Sequence, residues 1–164
     1  MEKEYFMKEA LKEAKKAYKK LEVPVGVVIV KDEKIIARAY NQKESKNSPI
    51  KHAEIIAIEK ACKKLNNWRL NDCDMYITLE PCSMCAGAII NSRIKKIYLG
   101  AMEHNSGACG SKLNLLQDFN FETKVEIELT EDGKKRFIIV DKQGNETLDG
   151  KRRRKCTGRV RTSF

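Results

Sequence analysis

His52-Ala53-Glu54 and, 26 residues further on, Pro81-Cys82-Ser83-Met84-Cys85 supply one imidazole and two thiols. That donor set suits a borderline-soft ion such as zinc. Three protein ligands leave one tetrahedral position free for water, which separates a catalytic metal site from a structural one. Glu54 stands two residues from His52, near enough to move protons at that water without ligating the metal. Each piece also has a plainer reading. Alone, Cys82/Cys85 is a Cys-x-x-Cys pair equally suited to redox chemistry, and Glu54 is a carboxylate at a helix start. A structural site would need a fourth ligand from Cys62, Cys73, Cys109, Cys156 or His104, and none of these stands in a second paired motif.

Periodicity predicts the elements that must position these residues. Between residues 4 and 21, Phe6, Met7, Ala10, Leu11, Ala14, Ala17, Tyr18 and Leu21 fall three and four apart, the stripe of an amphipathic helix. Pro24 ends it. Val25 to Val30 reads as a strand buried on both faces, Lys31 to Lys34 as a hairpin turn, and Ile35 to Tyr40 as the returning strand. Asn41 to Pro49 is a polar loop. A second helix spans His52 to Leu65, and a third strand Met75 to Leu79. Pro81 suits the first turn of the next helix, where its missing N–H costs nothing. Cys82 and Cys85, three apart, share one face of that helix. A fourth strand over Lys96 to Ala101, a short helix over Lys112 to Gln117 and a fifth strand over Val125 to Leu129 complete the pattern. It predicts a three-layer α/β/α fold, with a mixed five-stranded sheet and helices on both faces. The helix starts at His52 and Cys82 would then converge at the ends of neighbouring strands, where open α/β sheets bind ligands.

The 164 residues suit one domain, with no apolar run long enough to span a membrane. A charged start, Met1-Glu2-Lys3-Glu4, argues against a secretory signal, and six cysteines without one imply a reducing, cytoplasmic setting. Of 33 basic residues, seven lie in residues 151–164, which contain no acid. The remainder carries 26 basic against 23 acidic residues, a net charge of +3 out of +10. We expect a domain over 1–150 and a basic, disordered tail over 151–164 that contacts RNA phosphates or is merely solvated.

The order His-x-Glu, then Pro-Cys-x-x-Cys, is the known zinc-deaminase signature. The likeness extends well beyond it. Glu22-Val23-Pro24-Val25-Gly26, Ala37-Arg38-Ala39-Tyr40-Asn41, Trp68-Arg69-Leu70, the block Leu79 to Ala88, Ser92-Arg93-Ile94 and Gly107-Ala108-Cys109-Gly110-Ser111 resemble bacterial tRNA-specific adenosine deaminases, within the zinc-dependent cytidine/deoxycytidylate deaminase superfamily. The resemblance runs from residue 5 to residue 128. It implies a cytidine-deaminase-like fold, a homodimer, and one Zn2+ per subunit held by His52, Cys82 and Cys85. It implies hydrolytic deamination of adenosine to inosine at the wobble position of a tRNA anticodon stem-loop, with water attacking C6 and Glu54 shuttling the protons. It also implies that Asn41 hydrogen-bonds the flipped nucleotide, that the Ala53 N–H touches the base, and that Val25 and Leu79 line the base pocket. Core packing accounts for those last two side chains equally well. Competing functions are a small-molecule deaminase for guanine, cytosine or cytidine using the same site, and a zinc-stabilised RNA-binding module.

Several positions depart from the family. Lys51 precedes His52 where a small residue is usual, Glu103 stands where Asp is common, and His104-Asn105 follow. After the fifth strand the resemblance stops. The family closes with a long helix; here residues 129–150 read as a turn at Thr130 to Gly133, a possible extra strand over Arg136 to Val140, and another turn at Asp141 to Gly144.

Overall fold

A computed structural model describes the backbone of residues 2–117, 126–129, 138–140 and 146–148, and the side chains of residues 3–116. The apolar stripe folds as helix α1 (Glu2–Lys19), burying Phe6, Met7, Ala10, Ala14 and Ala17. Leu21 does not belong to that stripe: the helix ends at Lys19, the chain turns through φ 59° at Leu21, and its side chain is 88% exposed. Strand β1 (Gly26–Lys31) follows, then β2 (Lys34–Tyr40), joined by a turn with Asp32 and Glu33 both at positive φ. That backbone matches the right-handed twist of a two-residue hairpin. A register shift between Ile29 and Val30 bulges the pair.

Helix α2 (Ala53–Leu65) ends on Asn66 in the left-handed conformation, whose N–H closes on Cys62 and Lys63. Strand β3 (Cys73–Ile77) lies two residues earlier than periodicity suggested. Thr78 and Leu79 instead begin the connection to helix α3 (Ser83–Asn91). Thr78 still donates its N–H to the Gly26 carbonyl, while its hydroxyl accepts the Gly26 N–H. Strands β4 (Lys96–Leu99) and β5 (Glu126–Leu129) complete the sheet, in the order β2-β1-β3-β4-β5. Four strands therefore lie within residues 2–117, and the fifth joins from beyond them. β1 is antiparallel to both neighbours, whereas β3, β4 and β5 run parallel. The expected short helix shrinks to a single 3-10 turn, Leu115–Gln117, because Lys112 and Leu113 donate back to the Gly107 carbonyl.

Alternation along the strands divides the core into two faces. Val28, Val30, Tyr76 and Tyr98 pack on Phe6, Met7 and Ala10 of α1. Val27, Ile29, Met75, Ile77, Ile97 and Leu99 pack on α2 and α3, through Ala53, Ile56, Ala57, Ala61, Ala86, Ile89 and Ile90. These are the three layers expected. Gly26 lets α1 rest directly on β1: a Cβ there would lie 2.0 Å from the Ala10 carbonyl oxygen.

The extra C-terminal strand forms as β6 (Ile138–Val140), pairing antiparallel with β7 (Glu146–Leu148). They make a separate two-stranded sheet rather than a sixth strand of the main one. The expected tail over 151–164 lies outside the described residues. No helix among the described residues is long and apolar enough to cross a membrane.

Candidate active site

His52 and Cys82 occupy equivalent positions. Each is the residue just before a helix, α2 or α3, with extended backbone at φ −77° and −74°. Their carbonyls accept the first helical hydrogen bonds, from Ile56 and Ala86, but neither side chain caps its helix. Both side chains are thereby left to turn toward each other. Pro81 stands one residue before the cap, not in the first turn, because Cys82 itself takes the extended cap conformation. Cys85 is fully buried in the first turn of α3.

The His52 Nδ1 lies 3.7 Å from Cys82 Sγ and 3.5 Å from Cys85 Sγ. Zinc bonds of about 2.3 Å to sulfur and about 2.0 Å to nitrogen, at a tetrahedral angle, put S and N about 3.5 Å apart. Both observed separations match that geometry. All three ligand atoms lie within 4.8 Å of one another, and among the described residues no further His, Cys, Asp or Glu joins the cluster. Cys62, Cys73, Cys109 and His104 are thus excluded as a fourth ligand; Cys156 lies outside the described residues.

The electrostatics favour a cation. A hydrogen bond from the Cys85 thiol, against the opposing effect of burial and with help from His52, lowers the Cys82 thiol to about 4. Donating to that thiolate, together with burial, holds the Cys85 proton far above the usual thiol range. The bond to Cys82 raises His52, against burial. The two helix N-termini add positive potential where the thiolates sit. A divalent ion binding there would displace protons from the Cys85 thiol and from His52. Glu54 is 4% exposed, and burial pushes its carboxyl up to about 6, with its own N–H and His52 pulling it down.

Asn41, at the end of β2, is only 5% exposed. Its N–H bonds the Val25 carbonyl, while its side-chain amide has no hydrogen-bond partner among the described residues. Ala53, the first residue of α2, has an N–H with no acceptor in its own helix. Val25, Ala53 and Leu79 are all members of the core cluster shared by the sheet, α2 and α3. Lys51, beside the ligand histidine, pairs with Glu59 at 3.5 Å.

Outside α1, two further carboxylates are buried without having been expected from the sequence. Glu22 accepts the N–H groups of Glu44 and Ser45 and the Ser45 hydroxyl, tying down the loop between Asn41 and His52. Glu80 accepts four bonds from residues 103–111. The available signal was a lone acid entering an apolar run just before a proline, Glu22-Val23-Pro24 and Glu80-Pro81.

Residues 1–101, which contain both ligand motifs, match the family of the cytidine and deoxycytidylate deaminase zinc-binding region. The chain belongs to this family. As a member of the zinc deaminases it is a zinc-dependent hydrolase, with His52, Cys82 and Cys85 able to hold one ion. A tRNA-specific adenosine deaminase of Bacillus subtilis (strain 168) is 49% identical over 124 residues, 76% of this chain and 77% of that protein. Among solved structures, one from studies of A-to-I editing by tRNA:A34 deaminases is similar at 38% identity and TM-score 0.76, covering 79% of this chain and all of that one. A guanine deaminase from Bacillus subtilis is similar at 39% identity and TM-score 0.60, over 69% of this chain and 72% of its own.

Proposed function

We propose that this deaminase converts adenosine to inosine at the wobble position of a tRNA anticodon. The observation that carries the reading is the three-donor site beside the buried carboxylate of Glu54. Bound zinc supplies Lewis acidity that brings water within reach of deprotonation near neutral pH. Glu54 takes the proton of the attacking water and passes it to N1 of adenine as oxygen bonds to C6. It then moves the second water proton to the exocyclic amine, which leaves C6 as ammonia. A carboxyl raised to about 6 by burial suits that task, because it must accept and return a proton in one turnover. The Asn41 amide, buried without a partner among the described residues, hydrogen-bonds the flipped nucleotide; the Ala53 N–H contacts the base, and Val25 and Leu79 wall its pocket. The enzyme works as a cytoplasmic homodimer, and its tail over 151–164 contacts RNA phosphates.

The adenosine assignment draws support from the tRNA-specific relatives, and an anticodon loop offers a base already unpaired. A second reading, deamination of free guanine or cytosine, is favoured by the guanine deaminase likeness and by the small charge of the chain outside its tail. Incubation with an anticodon stem-loop, adenosine, cytidine and guanine, followed by mass spectrometry, separates them. Inosine in the stem-loop alone is the expected result; product from the free compounds alone would overturn the tRNA reading.

A further inference from the structure

Glu80 stands two residues before Cys82, in the connection from β3 to α3, and is 3% exposed. One carboxylate oxygen accepts the Glu103 N–H at 3.1 Å and the Ser111 hydroxyl. The other accepts the N–H groups of Cys109 and Ser111, both at 3.0 Å. Four donors fill the accepting capacity of a carboxylate, which is about four. All of them come from residues 101–113, the loop that leaves the carboxyl end of β4. The Glu80 N–H bonds the Ala101 carbonyl, and the Ala108 N–H bonds the Pro81 carbonyl, so both ends of the Glu80-Pro81 step are stitched to the same loop. Gly107 rests on the carboxylate itself: a Cβ would lie 2.3 Å from Glu80 Cδ.

Gly107, Ala108 and Cys109 are buried, and the 2.8 Å bond from the Ala108 N–H to the Pro81 carbonyl holds this part of the loop one residue from Cys82. His104, Asn105, Ser106, Lys112 and Leu113 are exposed. A buried carboxylate is a costly way to fill a core position, which an apolar residue fills at less expense. What it provides is a single geometry for a segment with no helix or strand of its own.

We infer that Glu80 is a positioning residue for the substrate: it holds the 101–113 loop as a fixed wall beside the Pro81-Cys82 step, presenting His104, Asn105 and Lys112 to the RNA strand that flanks the target nucleotide. The inference rests on the tRNA reading above. It assigns Glu80 to substrate binding, not to holding zinc or to proton transfer.

Glu80→Gln, in the zinc-loaded full chain, keeps the shape but replaces one accepting oxygen with a donor that faces an N–H. The expected result is full zinc content and kcat within about twofold of the parent, with KM for an anticodon stem-loop raised about tenfold. Amide exchange at Glu103, Cys109 and Ser111 should accelerate while that of α3 stays unchanged. Ser111→Ala removes the hydroxyl donor alone and should raise KM by about threefold. It decides the matter if Glu80→Gln fails to fold. An unchanged KM in the variants that fold, or loss of zinc and kcat together, overturns the inference. Parent enzyme inactive on every RNA instead sinks the tRNA reading, and the amide exchange then still reports separately whether Glu80 holds the loop.

Discussion

Glu54 and Cys82 show how position within a helix end sets chemistry. Glu54 follows its ligand by two residues, so the first turn of α2 carries it inward, to a place where burial raises its proton affinity. Cys82 is held at a helix start, where hydrogen bonds from Cys85 and His52 stabilise its thiolate. Glu54→Gln should therefore keep the metal, since the three donors are untouched, but lose turnover by at least about a hundredfold, the contribution of a positioned acid–base group. Metal analysis alongside inosine release checks this, and a fully active variant would remove Glu54 from the mechanism. The ligand and shuttle residues were legible in the sequence because their spacing encodes helix-start geometry directly. Glu22 and Glu80 were not legible as anchors, because most of their partners are backbone N–H groups of residues 22 to 31 positions away. A backbone donor leaves no mark in residue type.

At the scale of elements, each strand of the main sheet and each of the helices packed on it is legible in the sequence, but their ends are not. Leu21 fits the helical stripe by number, yet the helix stops before it. Because a left-handed backbone penalises a branched apolar residue less when Asn replaces it, Leu21→Asn should raise stability by about 0.5 kcal/mol in urea unfolding. Gly26→Ala should do the opposite. Its methyl meets the Ala10 carbonyl and the Ala14 nitrogen, both backbone atoms, so α1 must lift from β1 at a cost of about 3 kcal/mol. The same unfolding experiment reads both.

Glu22 adds a pH dependence at this scale. Burial raises its carboxyl, but bonds from the Ser45 hydroxyl, the Ser45 N–H and the Glu44 N–H outweigh that, and its folded value lies below the ordinary one. Such a group stabilises the fold above its unfolded pKa and loses that contribution as pH falls through the folded value. Glu22→Gln should thus be less stable than the parent at neutral pH and lose less stability on acidification. Parallel stability curves for the two proteins would show that Glu22 contributes no such term.

For the whole molecule, the uneven charge matters more than its sum. Seven of the 33 basic residues sit in 151–164, leaving +3 on the rest. Truncation at residue 150 should flatten the salt dependence of stem-loop binding, since each phosphate contact removed lowers the slope by about 0.7 to 0.9. An unchanged slope in filter-binding titrations would exclude the tail from the interface. The sequence by itself determined the reaction class and the layered α/β fold, because ligand spacing, strand alternation and helical periodicity are local signals. Tertiary structure decided the rest: that three donors from two helix starts meet at zinc-like separations, that Asn41 is buried with no partner for its amide among the described residues, and that β6 pairs with β7 apart from the main sheet. It also revealed the loops that Glu22 and Glu80 tie down beside the site. Those features depend on contacts between residues far apart in the chain, whose geometry is set only when the layers pack.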